Sequence, residues 1–232
     1  MKIRLSKFIA DSGYASRRGA EDLILSGRIS VNGNVVNTPV FFVDEDDKVF
    51  IDGKQIKRNE EIKLYKFHKP INTMTTSKDP ENRKTIYDVI DKKYKNLKYI
   101  GRLDFKTTGL LLMTNNGELA RKMSLPQNHI PRTYIATVDR YTEKQLDIAR
   151  KGVVVDGIKY RPMKIETVDG QKLKITLIEG KKNEIRIVLK YIGLNLTALH
   201  RVSYGQIELK NLGVGEIKEV DKKTIDLILK NF

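Results

Sequence analysis

The chain has no cysteine and no tryptophan among its 232 residues, and only three histidines. The lack of cysteine excludes disulfide bonds, thiolate nucleophiles and cysteine-ligated zinc. The histidines, His68, His129 and His200, lie far apart and match no short metal-ligand spacing, so we predict no metal site. The sequence also lacks both the G-x-x-x-x-G-K-[ST] phosphate loop and the G-x-G-x-x-G dinucleotide fingerprint, which argues against a nucleotide cofactor.

Long apolar runs are missing as well. No run approaches the roughly 20 residues that a membrane span needs. Charged and polar residues interrupt the first residues, MKIRLSKFIADSG, where a secretory signal would have a continuous apolar stretch. Hydrophobic residues make up 40% and charged residues 31% of the chain, as is usual for a folded soluble protein. We therefore expect a cytoplasmic protein that does not bind membranes, and we expect a monomer.

What the chain has in excess is positive charge. Its 44 basic and 29 acidic residues give a formal net charge of +15, which favours a polyanionic partner such as RNA, DNA or an anionic membrane surface. Residues 1–60 hold 10 basic and 9 acidic residues, a net charge of +1, which leaves +14 for residues 61–232. The second part of the chain therefore lies in a strongly positive field.

Residues 1–58 predict a small helix-helix-hairpin domain. Apolar residues at helical spacing begin at Leu5, Gly13 is placed to end that helix, and Ser16 can cap a second one. The Asn32-Gly33 pair lies between alternating residues and predicts a tight β-hairpin. The acidic run 44–47 predicts a loop, followed by an edge strand at residues 49–51.

Residues 62–232 predict a larger domain, joined to the first by the polar segment 56–60. Because helices and strands alternate while several strands have period-2 patterns, we predict an α+β fold with a mostly antiparallel mixed sheet flanked by helices. The predicted strands are 62–67, 108–114, 133–138, 153–155, 173–178 and 203–209, and the predicted helices are 86–90, 118–125, 143–151, 184–192 and 223–230.

The first domain resembles a known RNA-binding module. The segment RLSKFIADSGYASRRGAEDLILSGRISVNG is similar to the S4 module, over roughly residues 3–55. Arg17 and Arg18 at the start of the second helix, with Lys7 and Arg28 nearby in the proposed fold, would present cations and free backbone N–H groups to phosphates. The alternative is that these residues are solvated surface cations.

A second resemblance spans nearly the whole chain. The stretch GRLDFKTTGLLLMTNNGEL resembles the motif that carries the nucleophilic aspartate of pseudouridine synthases, in the branch that modifies ribosomal RNA and bears an N-terminal S4 module. LYKFHKPINTMTT, HIPRTYIATV, IEGKKNEIR and LHRVSYGQI match further motifs of that family. The resemblance implies an isomerase that needs no cofactor and converts a uridine of folded ribosomal RNA, free or in a partly assembled subunit, to pseudouridine. Large-subunit RNA is the preferred target.

The chemistry explains the residue types. A uridine must lose its N1 bond to ribose, rotate and rejoin through C5, so the site needs a nucleophile or charge partner and a pocket for the detached base. The resemblance assigns the nucleophile to Asp104 and the cation that keeps it ionised to Arg186. Tyr134 would stack on the extruded base and assist proton movement at C5, and Arg102 would grip a flanking phosphate or hold the nucleotide out of the helix.

The sequence departs from the family pattern at three places. Asn183 and Ile187 stand where the family commonly has arginine, which changes phosphate or neighbouring contacts there. Arg132 stands where a lysine is often found, which keeps the charge and alters the hydrogen-bond geometry. Arg201, with His200 beside it, either touches RNA or closes the sheet, and we leave both unassigned.

Other interpretations remain open. Without the resemblance, Asp104 reads as a turn residue or helix cap, Arg186 as a surface residue and Tyr134 as part of the core or sheet surface. For the whole chain, the alternatives are an RNA-binding assembly or regulatory factor with a silent synthase-like domain, and a carboxylate-pair hydrolase such as a glycosidase. The intact set of three residues argues against the first. The missing second acid and the +14 charge argue against the second.

Overall fold

The structure, a computed structural model, describes residues 2–59, 61–230 and 232. Its contacts divide the chain into two units. The first unit is Met1–Lys63 with Lys92–Lys98 and Thr114–Gly117, and the second is Leu64–Asp91, Tyr99–Met113 and Glu118–Phe232. The domain boundaries at residues 58 and 62 stay a prediction, and Glu60 of the predicted linker lies outside the described residues.

The first unit contains the predicted pair of helices. Helix α1 spans Leu5–Asp11 and α2 spans Arg17–Leu25. The Ser16 side chain accepts a hydrogen bond from the backbone N–H of Gly19 at 3.0 Å, which satisfies one of the free donors at the start of α2. The inner faces of both helices pack in one apolar cluster with the strands of this unit.

Six short strands complete the first unit. They are β1 (Ile3–Arg4), β2 (Ile29–Val31), β3 (Asn34–Val36), β4 (Phe42–Val43), β5 (Val49–Ile51) and β6 (Lys54–Ile56). Strands β1 and β4 pair with each other, and the other four form a sheet in the order β3-β2-β5-β6. Asn32 and Gly33 both have positive φ, 52° and 87°, as the predicted tight hairpin requires.

The prediction of an edge strand at residues 49–51 is wrong. Strand β5 is internal, because β6 covers its outer side. The turn between β5 and β6 is Asp52-Gly53, with φ of 48° and 77°, and this Asp-Gly pair is a hairpin signal that the sequence interpretation overlooked.

The remaining elements build a larger sheet, a separate antiparallel pair of strands (Val153–Val155 with Ile158–Tyr160) and four helices. The helices are α3 (Gly117–Ser124), α4 (Glu143–Lys151), α5 (Glu184–Tyr191) and α6 (Lys222–Lys230). The strands are β7 (Leu64–Lys69), β8 (Lys98–Ile100), β9 (Thr108–Thr114), β10 (Arg132–Val138), β11 (Val153–Val155), β12 (Ile158–Tyr160), β13 (Lys164–Asp169), β14 (Lys172–Leu177), β15 (Leu196–Tyr204), β16 (Ile207–Glu208) and β17 (Ile217–Glu219).

The central sheet has the strand order β13-β14-β10-β15-β9-β7-β17, with β16 on β15 and β8 on β9. The β9–β15 pair is parallel, whereas β10 is antiparallel to both β14 and β15. The predicted α+β fold with a mixed sheet is therefore confirmed. Strands β9 and β15 approach closely at Gly109, where an added Cβ would lie 2.3 Å from the carbonyl oxygen of Arg201. Only glycine permits that approach.

Two predicted elements differ from the structure. The predicted helix 86–90 is a single 3₁₀ turn, Ile86–Asp88, because none of residues 91–96 is buried and a longer helix would have no apolar face there. The predicted strand 203–209 is broken at Gly205, whose φ is 58°, and the main strand β15 begins earlier. An inward-facing charged residue, Arg201, hides the alternation of β15.

Candidate active site

The loop that carries Asp104 joins β8 to β9 and is held by its backbone. The Thr75 hydroxyl group donates to the carbonyl oxygen of Leu103 at 2.8 Å and accepts from the backbone N–H of Leu103 at 3.3 Å. On the other side of Asp104, the backbone N–H of Asn72 donates to the carbonyl oxygen of Phe105 at 2.9 Å. Both neighbours of Asp104 are thus fixed by one preceding segment.

A buried lysine holds the end of the same loop. Lys69 is fully buried, and its Nζ donates to the carbonyl oxygens of Pro70 at 3.0 Å and Thr107 at 2.9 Å. Burial lowers the pKa of the Lys69 ammonium group to about 8; the charge of Asp104 opposes this shift and that of Arg201 adds to it. Lys69 therefore acts electrostatically on Asp104 as well as mechanically on its loop.

The Asp104 side chain itself is exposed. Among the residues that the structure describes, no group donates a hydrogen bond to its carboxylate or pairs with it. Arg186 reaches the same loop, but its Nη2 donates to the carbonyl oxygen of Lys106 at 3.0 Å and to the Thr107 hydroxyl group at 3.4 Å. The structure thus brings Arg186 to the Asp104 loop without an ion pair between the two side chains.

Tyr134 lies on β10 with its side chain buried. Its hydroxyl oxygen accepts a hydrogen bond from Nη1 of Arg201 at 3.4 Å, and the Arg201 guanidinium lies 5.9 Å from the ring centroid. Arg201 is the cross-strand neighbour of Tyr134 on β15. The tyrosine therefore has a buried cation behind it.

These residues line one cavity of about 250 Å³ within the second unit. Arg102 also lines it and is exposed. Six of its lining residues are basic and two, Asp104 and Glu184, are acidic, a balance that suits an RNA base and its phosphates. The lining consists of Gly101, Arg102, Leu103, Asp104, Thr107, Ser124, Pro126, Arg132, Tyr134, Leu177, Gly180, Lys181, Lys182, Asn183, Glu184, Ile185, Arg186, Leu199 and Arg201.

One lining residue, Glu184, belongs to a carboxyl pair that the sequence interpretation did not identify. Glu184 is 4% exposed, and its Oε2 accepts a hydrogen bond from the backbone N–H of Lys181 at 2.9 Å. Burial and the neighbouring Glu179 raise the pKa of Glu184 to about 7. Although burial opposes it, hydrogen bonds from Lys181 and from the Arg161 backbone lower the pKa of Glu179. Glu179 is therefore the charged member near neutral pH.

The unassigned histidine faces away from this set. His200 Nδ1 lies within hydrogen-bond distance of the Thr108 hydroxyl oxygen, at 2.7 Å, and the ring centroids of His200 and His68 are 5.2 Å apart. Burial, together with His68, lowers the pKa of His200. His200 does not line the cavity, whereas its neighbour Arg201 does.

The four cations predicted to bind RNA in the first domain differ in exposure and in ion pairing. Arg17 and Arg18 are exposed in the first turn of α2, and Lys7 on α1 is half-buried. Arg28 is exposed and forms a bidentate salt bridge with Asp52, in which Nε and Oδ1 are 2.9 Å apart. The charge of Arg28 is therefore already balanced, whereas Arg17 and Arg18 form no ion pair within the described residues.

Sequence interpretation left Lys69, Arg132, Glu184 and Arg201 without roles. Lys69 was visible only as a letter within a matched motif, and Arg201 was left open between RNA contact and closure of the sheet. The wrong bounds for the last long strand concealed that Arg201 faces inward, and no local pattern could reveal that Glu184 is buried.

Two further findings concern metal ligands and membrane-spanning helices among the described residues. Within residues 2–59, 61–230 and 232, no three histidine or acidic side chains are grouped as a metal ion would require. None of the helices in these ranges has the length and apolar character needed to cross a bilayer.

Comparison with known proteins agrees with the geometry. The family described as RNA pseudouridylate synthase matches residues 63–191, and the S4 domain matches residues 3–49. A Rickettsia felis protein named as an RNA pseudouridine synthase is 36% identical over 96% of this chain and 99% of its own length. Ribosomal large subunit pseudouridine synthase B of Bacillus subtilis is 33% identical over 94% of this chain and 91% of its own length.

A solved structure is similar over the same range. A crystal structure of a pseudouridylate synthase has a TM-score of 0.70 and 26% identity, covering 97% of this chain and 99% of that chain. The fold and the site define an RNA-modifying isomerase with an RNA-binding S4 domain. The chain belongs to the RNA pseudouridine synthase family.

Proposed function

We propose that this protein converts a specific uridine of ribosomal RNA to pseudouridine, with Asp104 as the nucleophile on a flipped-out nucleotide. The observation that carries this proposal is an exposed carboxylate on a backbone loop held from both sides, at the wall of a cationic cavity. Pre-organised backbone with a free functional group is what a nucleophile needs, because little reorganisation is left for the reaction.

The reaction needs no net co-reactant. In the proposed sequence, the bond between C1′ of the ribose and N1 breaks, its electron pair stays with the base, and Asp104 bonds to C1′. The base rotates, C5 displaces the carboxylate from C1′, C5 loses its proton and N1 gains one. Tyr134 stacks on the detached base, which its position in the cavity supports.

Two arginines have electrostatic roles in this proposal. Arg186 holds the loop through Lys106 and brings a positive charge close to the ionised Asp104. Arg102 is exposed at the cavity and contacts a phosphate next to the target nucleotide. Lys7, Arg17, Arg18 and Arg28 contact phosphates from the S4 domain, with Arg28 the weakest because Asp52 balances its charge.

Large-subunit ribosomal RNA is the proposed target, free or in a partly assembled subunit. The name of the Bacillus subtilis relative supports this choice. We also propose that the protein acts as a monomer in the cytoplasm.

The test is to map pseudouridine in the ribosomal RNA of cells that lack this protein. We expect the loss of at least one site in large-subunit RNA, restored by the wild-type protein and by Asp226→Asn, but not by Asp104→Asn. Asp226 is an exposed residue of α6 and serves as the matched control. If every site persists in the deletion, or if Asp104→Asn restores the missing one, the proposal fails. A site lost from small-subunit RNA instead would overturn only the choice of target.

The competing function, a silent RNA-binding factor, makes a different prediction for the same strains. It requires that the Asp104→Asn protein supports growth and ribosome assembly as the wild type does while all modified positions remain. Measuring both the modification and the subunit profile therefore separates the two functions.

A further inference from the structure

Two buried arginines in the second unit differ in how their hydrogen-bond donors are used. Arg132 is 7% exposed; its Nη1 donates to the Glu179 carbonyl oxygen at 2.8 Å and its Nη2 to the Tyr204 hydroxyl group at 2.9 Å. Arg201 is 1% exposed, and its Nε donates to the Leu110 carbonyl oxygen at 2.6 Å. Each of the two outer nitrogens of Arg132 therefore donates to a structural partner.

The two outer nitrogens of Arg201 differ in this respect. Its Nη1 donates to the Tyr134 hydroxyl group, and its Nη2 is buried without a partner among the described residues. In the same part of the chain, no carboxylate forms an ion pair with Arg201. Burying an unpaired charge is costly, and a neutral side chain of similar size would fill this space at a lower cost. The charge of Arg201 therefore has a use other than packing.

The position of Arg201 shows what its charge can act on. It is the cross-strand partner of Tyr134, directly after an irregularity in the β10–β15 register at Thr133. Its guanidinium lies near two aromatic rings, 5.9 Å from the Tyr134 centroid and 5.2 Å from the Tyr204 centroid. Gly109 allows β9 to press against the Arg201 backbone, which restricts where the side chain can go.

Within the described part of the chain, the Tyr134 hydroxyl group accepts a hydrogen bond but has no acceptor of its own. Its oxygen accepts the hydrogen bond from Arg201, and no acceptor for its own O–H lies among the residues that the structure describes. A phenol whose oxygen is occupied from behind has its O–H free for the cavity that both residues line.

We propose that Arg201 is a positioning residue for Tyr134: through its hydrogen bond to the hydroxyl oxygen it orients the hydroxyl group toward the nucleotide. This inference rests on the proposed function, in which Tyr134 stacks on the detached base. Arg201 acts through Tyr134 and does not itself touch the RNA.

A double-mutant cycle tests the proposal on purified full-length protein, with single-turnover rates at saturating RNA that contains the mapped uridine. We expect Arg201→Met to lower the rate constant about 10- to 100-fold, as misplacement of a reacting group does, while the Kd for RNA changes less than about threefold. In a Tyr134→Phe background the same substitution should cost less than about threefold, because the hydroxyl group it orients is gone. Equal losses in both backgrounds, or a loss in Kd alone, would overturn the proposal.

Arg132→Met is the matched control, since it removes a buried arginine from the same cavity without a contact to Tyr134. Its effect should be the same in the wild-type and Tyr134→Phe backgrounds. Arg201→Lys keeps a charge and the apolar stem, and is the variant to use if Arg201→Met does not fold. It should retain part of the rate and show the same dependence on Tyr134; an additive effect would again overturn the proposal.

A second measurement needs no RNA. With ¹³C-labelled tyrosine, the ring signal of Tyr134, assigned from Tyr134→Phe, should shift or broaden in Arg201→Lys and stay in place in Arg132→Met. An unchanged signal in Arg201→Lys refutes the positioning role whatever the substrate. If the signal responds but the wild-type protein modifies no ribosomal RNA, the proposed function fails and the contact stands.

Discussion

The two units of the chain bury different kinds of residue. Among the described residues, the first unit buries only Ser6 and Thr114 as polar side chains, and its core is otherwise apolar. The second unit buries six histidine, basic or acidic side chains, which are His68, Lys69, Asp79, Arg132, Glu184 and Arg201.

The difference shows where the chain accepts a cost in stability. A small RNA-binding domain can be folded by apolar burial and keep its charges on the surface, where they meet phosphates. A site that must stabilise charge during a reaction needs fixed cations and acids away from water. Three of these six residues, Arg132, Glu184 and Arg201, line the cavity, and Lys69 holds the Asp104 loop.

The largest effect should come from the one acid in the cavity that has no partner. Asp104→Asn should reduce single-turnover pseudouridine formation by about 10³-fold or more, because the amide is not a nucleophile. Its thermal unfolding midpoint should change little, since the side chain is exposed and makes no hydrogen bond or ion pair to lose among the described residues. Residual activity above one-tenth of the wild type would contradict the assigned role.

The core of the first unit should respond to apolar truncation. Leu5 is fully buried on α1, so Leu5→Ala should lower the free energy of unfolding by about 2–5 kcal/mol, measured by urea denaturation followed by circular dichroism. The control is Leu25→Ala at the exposed end of α2, with an expected change within about 0.5 kcal/mol. Similar losses for both variants would show that the apolar cluster does not stabilise this unit.

In the second unit, removing a buried acid should increase stability at alkaline pH. The folded-state pKa of Glu184 is raised to about 7, so its favourable contribution is complete below its unfolded value near 4.5 and is lost as the pH rises through 7. Glu184→Gln mimics the protonated form. It should raise the free energy of unfolding at pH 8 relative to the wild type by about 1–3 kcal/mol.

The measurement is urea denaturation at several pH values between 4 and 8. Glu184→Gln should flatten the decline that the wild type shows in this window, whereas Glu208→Gln, at an exposed position of β16, should leave it as it is. A parallel decline in Glu184→Gln and the wild type would mean that another group is responsible.

Smaller effects should follow from the surface cations of the first unit. The double variant Arg17→Gln and Arg18→Gln should weaken RNA binding and reduce the slope of log K against log salt by about 1.4–1.8. Its unfolding midpoint should be unaffected because both side chains are exposed. Binding measured between low and moderate salt checks the slope, and an unchanged slope would exclude these residues from phosphate contacts.

The smallest effect should come from Arg28. Because its guanidinium is already paired with Asp52, Arg28→Gln should change the salt slope by less than either arginine of α2. A change as large as that of Arg17→Gln alone would show that RNA displaces Asp52.

Individual elements show what could be predicted. Helices α1 and α2 and the Asn32-Gly33 hairpin follow from local spacing, caps and turn residues, and the structure contains all three. The Asp52-Gly53 hairpin had a usable local signal and was overlooked. Strand β15 was misplaced because Arg201 occupies an inward position that a hydrophobic pattern assigns to an apolar residue.

The candidate site was predictable in part. Asp104, Tyr134, Arg186 and Arg102 were chosen from motifs, and all four line the cavity. The direct pairing of Asp104 with Arg186 remains a prediction, since the Arg186 side chain contacts Lys106 and Thr107 instead.

Local spacing, caps and motifs were enough to predict helices α1 and α2, the α+β pattern and the family, because these features depend on residues that are neighbours along the chain. The contacts of Lys69 with the Asp104 loop, of Arg201 with Tyr134 and of Arg132 with Tyr204 emerge only when the chain is folded. Those residues come from strands far apart in sequence, and the burial that gives their charges an effect exists only once the strands lie side by side.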